Sequence, residues 1–291
     1  MRIALSGYRG MIGSALEREL TEAGHVVVRL TREMLYDAGG SLLVRELRGC
    51  EGVIHLAGAP VLQRWTLRRR RVILESRTVT THHLESALMA LSAAERPFLF
   101  LTASAIGIYR NGEIHDEAST RYDTHFASEV TREWEQASAH LEGVLRRVVF
   151  RIGLVLDARS RLIALLWWPF LLGLGGPIGS GRQPFPFVHL KDLVRAILLA
   201  LENSTMRGVY NLTAPEQVTN LDFARQLGAT LHRPALIPVP AFFMKLLFGK
   251  AAIMTTDSPA VIPARLPAAG FTYLYPSLQL ALEEVVRSKR K

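Results

Sequence analysis

Ser6-Gly7-Tyr8-Arg9-Gly10-Met11-Ile12-Gly13 places three glycines at three-residue spacing near the start of a 291-residue chain. Before it, residues 2–6 (Arg-Ile-Ala-Leu-Ser) read as a short buried strand. After it, residues 11–23 read as a helix with Ile12, Ala15, Leu16 and Leu20 on one face and Gly24 just past its end. In a strand–turn–helix unit of this kind each glycine has a separate task. Gly7 permits the tight turn, Gly10 lets the backbone approach a pyrophosphate, and Gly13 lets helix and strand pack closely. The free N–H groups and the dipole of the helix N-terminus then favour an anion there. The turn therefore points to a dinucleotide.

The rest of the first half continues the alternation. Strands are expected over 26–30, 52–56, 97–102 and 147–152, and helices over 70–91 and 127–141. Residues 26–30 form a nearly continuous apolar run, which predicts a strand covered on both faces. The pattern is that of a Rossmann-type doubly wound parallel sheet in the α/β class. After residue 156 the texture changes, with Gly173, Gly175, Gly176, Gly179 and Gly181 crowding one loop. This divides the chain into a dinucleotide-binding domain over 1–155, with 186–215 returning to it. Residues 156–185 and 216–291 are expected to form a smaller substrate lobe.

Composition limits the alternatives. With 49% hydrophobic and 21% charged residues, the chain is neither disordered nor collagen-like. The lone Cys50 excludes an internal disulfide. The longest apolar run, 162–174, is broken by Pro169 and Gly173 and is too short to span a bilayer. The N-terminus lacks the layout of a signal peptide, so a soluble cytoplasmic protein without a membrane partner is expected. The net charge of +9 is concentrated in Arg68, Arg69, Arg70 and Arg71, and in Arg287, Lys289, Arg290 and Lys291, the latter read as a frayed tail. No aromatic residue is interleaved in either run, so solvated surface is favoured over nucleic-acid binding.

The second expected strand ends Leu30-Thr31-Arg32, with no acid until Glu33. An acid there binds the ribose hydroxyl of NAD, whereas an arginine suits the 2′-phosphate of NADP. Arg9 lies inside the glycine turn, where the same phosphate falls, and two guanidiniums converging on a dianion give charge-assisted bonds. The expected cofactor is NADP. The alternative is that both arginines are exposed and NAD binds indifferently.

The segment His55-Leu56-Ala57-Gly58-Ala59-Pro60 and the glycine turn together resemble an extended short-chain dehydrogenase/reductase (SDR). Glu75-Ser76-Arg77, Thr102-Ala103-Ser104-Ala105, Trp134-Glu135, Val188-His189-Leu190-Lys191-Asp192 and Pro263-Ala264-Arg265 narrow the likeness to the atypical "epimerase family protein" group of that family. The resemblance spans nearly the whole chain and implies a nicotinamide dinucleotide, usually NADP. It implies that Thr31, Arg32, Leu56, Ala57, Gly58, Arg77 and Val155 join Gly7, Arg9, Gly10, Met11, Ile12 and Gly13 in holding it. A monomer or homodimer acting on an unidentified small-molecule substrate is expected.

Ordinary SDR enzymes use a tyrosine with a lysine four residues later, which lowers the phenol pKa for acid/base work. None of the seven tyrosines here has that lysine, and the first lysine of the chain is Lys191. The resemblance puts Phe126 and Val130 in the dyad's place. Ser104 and Tyr109 are the candidate catalytic residues, with Tyr122 or His125 reaching in from the next helix. The competing readings are Ser104 as a strand-end cap, Tyr109 as packing and His125 as surface. His189 and Asp192 are read as a loop tie, with Asp192 capping the following helix. Arg182 and the 172–182 loop offer an anion site or a hinge, and Trp167 and Trp168 line a hydrophobic pocket or, the favoured reading, pack between lobes with one indole inside and one part-exposed. No cluster has metal-ligand spacing.

Overall fold

The computed structural model describes residues 1–290. The chain opens with β1 (Arg2–Ser6), α1 (Met11–Glu22), β2 (Val26–Leu30), the short helices α2 (Arg32–Leu35) and α3 (Ser41–Leu47), and β3 (Gly52–His55). It continues through α4 (Leu67–Ala90), β4 (Leu99–Ala105), β5 (Ile114–His115), α5 (Phe126–Gln136), β6 (Arg146–Ile152) and β7 (Leu154–Leu156). Then come α6 (Arg161–Leu171), β8 (Phe187–His189), α7 (Leu190–Glu202), β9 (Gly208–Leu212) and α8 (Asn220–Leu231). The last elements are α9 (Ala241–Phe248), α10 (Ile253–Thr256), β10 (Ala260–Val261), α11 (Arg265–Ala268) and α12 (Leu278–Arg290).

Six strands form one parallel sheet in the order β2-β1-β3-β4-β6-β9. Ile3, Leu5, Ile54 and Leu101 face α1 and α7 on one side of it, while Ala4, Val53 and Phe100 face α3 and α4 on the other. Burial on both faces explains why these strands read as unbroken apolar runs. The chain leaves β1 for β2 on one side and returns to β3 on the other, so the strand order reverses between β1 and β3. In open α/β sheets such a switch point leaves a crevice beyond the strands' carboxyl ends.

The expected sheet is present, with particular departures. β2 is an edge strand rather than covered on both faces: Val26 is 58% exposed and Arg29 points outward. The sixth strand, β9, closes the opposite edge. The expected helix over 127–141 stops at Gln136 and resumes as a single 3₁₀ turn, Ala139–Leu141. The basic C-terminal run is not a frayed tail. Arg287, Lys289 and Arg290 occupy the last turn of α12, where cations complement the helix dipole, and Lys289 donates to the carbonyl of Ala158 (2.9 Å). Lys291 lies outside the described residues. No described helix is long and apolar enough to cross a membrane.

A second cluster of buried residues gathers Phe170, Phe187, Phe223, Leu227 and Leu282 from α6, β8, α8 and α12, with Phe185 from the segment before β8. Trp167 packs against this cluster, but Trp168 points outward and is exposed. Asp192 ties it to the sheet. The carboxylate is fully buried and accepts from the N–H groups of Leu274 and Tyr275 (both 2.8 Å) and from Arg195 (3.1 Å). It does not cap the helix at whose start it lies. That task falls to His189, whose Nδ1 accepts from Lys191 N–H (3.2 Å). Removing a buried acceptor of two backbone donors leaves both unsatisfied. Asp192→Ala should therefore lower unfolding stability by about 3 kcal/mol in a urea titration, and an unchanged midpoint would contradict this assignment.

Candidate functional site

The turn at the β1/β3 switch is built by steric exclusion. Gly7 has φ +71°, and a Cβ there would stand 2.7 Å from the carbonyl carbon of Leu56 and 2.9 Å from the nitrogen of Ala57. A Cβ on Gly13 would overlap the Gly7 carbonyl. Gly10 differs, since its Cβ would meet only the Gly7 oxygen, at 3.2 Å. Gly10 heads α1 with no side-chain cap, leaving the first-turn N–H groups to a ligand.

A polar ladder holds the two strand ends in register. The Ser6 hydroxyl accepts from the N–H groups of Leu56 (3.1 Å) and Ala57 (3.3 Å) and donates to His55 Nδ1 (2.6 Å). The tautomer follows from that network: Nε2–H donates to Thr80 Oγ1 (3.3 Å), which donates to the carbonyl of Ser76 (3.0 Å). Burial, reinforced by the nearby charge of Arg77, pushes the His55 pKa down from 6.5 to about 3. The imidazole stays neutral.

These elements enclose a cleft of about 670 Å³. Of the residues expected from the sequence, Gly7, Arg9, Gly10, Thr31, Arg32, Ala57 and Gly58 line it together. Met11, Ile12 and Gly13 run on into α1, and Leu56 packs behind. Arg77 does not line the cleft. Its half-buried guanidinium lies against the 57–59 loop, donating to the carbonyls of Ala59 (3.0 Å) and Ile73 (3.1 Å) and lying on the face of Trp134. A Cβ on Gly58 would stand 2.9 Å from Arg77 Cζ. Burial without an acidic partner lowers the Arg77 pKa to about 10. Val155 lies in β7, half-buried against the core that packs the sheet on α1 and α7. Sequence reasoning missed Tyr8, Tyr36 and Ser76 as lining residues. Arg9 and Arg29 lie over the Tyr8 ring, and Arg32 lies over Tyr36. Ser76 sat inside a quoted motif, but only the fold shows its hydroxyl accepting from Ala59 N–H (2.9 Å).

Arg9 and Arg32 are exposed on the cleft, and among the described residues neither has an acidic partner. Thr31 caps α2, accepting from Met34 N–H (3.3 Å), which fixes where Arg32 leaves the strand end.

The candidate catalytic residues belong to a different assembly. Arg151 makes a two-pronged ion pair with Glu135 (2.8 and 2.7 Å), and Ser104 donates to the same carboxylate (2.5 Å). Burial opposes the Arg151 charge, but the Glu135 bonds outweigh it and hold the guanidinium ionised. Tyr109 is 0% exposed. Its hydroxyl accepts from Arg151 (2.9 Å) and donates to Asn211 (2.8 Å), and its ring stacks on His115. Burial raises its pKa above 10. The expectation that Tyr109 faces the cofactor as a catalyst is therefore corrected: a sealed phenol with both hydrogen-bonding functions used reaches no ligand. Tyr122 lies beside it, at 3.4 Å from Arg151. His125 caps α5, accepting from Ser128 N–H (3.1 Å). Phe126 and Val130 pack with Ile73, Trp65 and Leu74. Among the described residues no group of His, Cys, Asp or Glu can hold a metal.

The sequence model of the NAD dependent epimerase/dehydratase family matches residues 3–213, and the chain belongs to that family. A domain of unknown function (DUF1731) matches residues 239–285. Mouse (Mus musculus) epimerase family protein SDR39U1 is 38% identical, over 98% of this chain and 100% of its own. Epimerase family protein YfhF of Bacillus subtilis is 30% identical, over 100% and 99%. The crystal structure of human SDR39U1 (isoform 2) with NADPH is 34% identical, covers 99% of each chain and superposes with a TM-score of 0.91. The structural likeness extends to a Bacillus cereus UDP-glucuronic acid 4-epimerase with NAD, at 18% identity and a TM-score of 0.79, which shows the shared fold.

The neutral histidine makes the ladder acid-sensitive. With the folded pKa below the ordinary one, the unfolded chain takes up the proton first, so stability is complete above pH 6.5 and declines as pH falls towards 3. His189, lowered to about 4 by burial, acts in the same direction. Unfolding free energy measured by denaturant should drop between pH 6.5 and about 5, above the carboxylate range, and His55→Gln should flatten that slope. A flat wild-type profile would contradict the neutral assignment.

Proposed function

We propose that this protein binds NADP(H) in the β1/β3 cleft and presents it to a small or nucleotide-linked carbonyl or hydroxyl compound, as an oxidoreductase or epimerase. The observation that carries the reading is the pair Arg9 and Arg32, both on the cleft and both without acidic partners. A 2′-phosphate gives each guanidinium a charge-assisted bond, whereas the NAD hydroxyl at that place gives neither a counter-charge. The uncapped start of α1 suits the pyrophosphate, and the half-buried Arg77 adds an uncompensated positive charge against the 57–59 loop. The NADPH-bound human relative supports the same reading.

When bound, the nicotinamide supplies hydride transfer. This chain's residues hold the dinucleotide, while the proton has no ordinary SDR donor. Phe126 and Val130 carry no titratable group, and Ser104 already donates its proton to Glu135. The carboxylate it bonds is held by the ion pair with Arg151, which fixes Ser104 in place. A second reading follows from the same apolar packing of Phe126 and Val130: NADP(H) serves as a bound regulatory ligand without turnover. Consumption of NADPH absorbance with a panel of carbonyl compounds separates the two.

Isothermal titration should give a micromolar or tighter dissociation constant for NADPH, at least about tenfold tighter than for NADH. Arg9→Ala with Arg32→Ala should erase the difference, and equal affinities in the wild type would refute the assignment. Tyr109→Phe should leave NADPH affinity unchanged while lowering stability by about 1 kcal/mol, as a buried structural hydroxyl requires.

A further inference from the structure

Helix α9 turns its apolar side outward. At 100° per residue, Phe242, Phe243, Leu246 and Leu247 cover an arc of about 140°, and all four are exposed. Met244 and Phe248 lie on the opposite, inward side, and no residue of the helix is fully buried. Soluble monomers seldom expose a contiguous apolar stripe of this kind.

The stripe has basic neighbours. Arg64 donates to the backbone carbonyls of Leu246 and Leu247 (the latter at 3.1 Å), which brings the C-terminal end of α9 against the segment leading into α4. Three residues on, α4 begins with Leu67, 87% exposed, and then Arg68, Arg69, Arg70 and Arg71. Cations in the first turn of a helix oppose its dipole, so Arg68 and Arg69 work against α4, whereas Arg70 lies on the Phe126 ring. Arg70 lies 3.7 Å from Glu129, and Arg71 pairs with Glu75. Arg68, Arg69, Lys245 and Lys250 have no acidic partner among the described residues.

We infer that α9 and the N-terminus of α4 form one surface that docks on an anionic phospholipid bilayer. The Phe242–Leu247 stripe enters the headgroup–acyl boundary, and the arginines and lysines meet lipid phosphates. Charge decides against the nearest alternative. A second copy meeting this patch through a two-fold axis would set one arginine run against another, with only Glu75 and Glu129, both already paired within the run's own chain, to offset them. The expectation of no membrane partner rested on the lack of a spanning segment, whereas this eight-residue helix lies along a surface. The inference is independent of the cofactor assignment.

The test is flotation of the full chain with vesicles of phosphatidylcholine alone or mixed with phosphatidylglycerol. The wild type should partition to the anionic vesicles at least about tenfold more than to the neutral ones, and less as salt is raised. Phe243→Ser with Leu247→Ser, and separately Arg68→Glu with Arg69→Glu, should each remove about tenfold or more of that partition. All four positions are exposed, so thermal unfolding should stay at the wild-type midpoint. Failure of the wild type to float with anionic vesicles overturns the inference, as does wild-type flotation of either double variant. A dimer in sedimentation equilibrium that dissociates on Phe243→Ser with Leu247→Ser, without vesicle binding, assigns the stripe to a second copy instead.

Discussion

Everything at the site depends on how closely two pieces of backbone approach each other. The Gly7 turn after β1 and the Leu56–Ala57 segment after β3 stand so near that a single Cβ on Gly7 would lie inside van der Waals contact with both. A strand order that reverses between β1 and β3 opens the crevice, and the missing side chain keeps it narrow enough for backbone N–H groups to grip a ligand. The Ser6–His55–Thr80 ladder then fixes the approach with buried hydrogen bonds that are satisfied along its length. Low dielectric makes such a network costly to break, so the loop that faces the cleft inherits the rigidity of the sheet.

Charge is sorted by depth around this frame. Deep in the sheet, Arg151 and Glu135 neutralise each other and immobilise Ser104 and Tyr109. Against the 57–59 loop, Arg77 is compensated only by carbonyls and an indole face. At the rim, Arg9 and Arg32 rest on tyrosine rings and keep their guanidiniums free of acids. The Arg151–Glu135 pair serves the fold, and of the unpaired charges only Arg9 and Arg32 stand exposed at the cleft. Phe126 and Val130, which the resemblance puts where an SDR enzyme has tyrosine and lysine, pack in an apolar cluster with Ile73.

The sheet was legible because buried parallel strands write themselves as continuous apolar runs, and the glycine turn because its spacing reflects local sterics. Local signals failed where the partner is remote in sequence. The run over 26–30 looks like an inner strand, and only strand order makes it an edge. Tyr109 follows a motif that suggests a ligand-facing loop, yet Asn211 and Arg151, distant along the chain, seal its hydroxyl. Asp192 has the look of a helix cap but holds the 274–275 backbone instead. The proton donor was not legible because its usual residues are absent, and the hydroxyls of Ser104 and Tyr109 are both tied into the Arg151–Glu135 network.

The central claim, a diphosphate on the glycine turn with a third phosphoryl between Arg9 and Arg32, is tested most directly by calorimetry with cofactor fragments that lack nicotinamide. The account predicts that 2′-phospho-ADP-ribose retains most of the NADPH affinity and that ADP-ribose binds at least about tenfold more weakly. Equal affinities for the two fragments, or no heat with either, would contradict it.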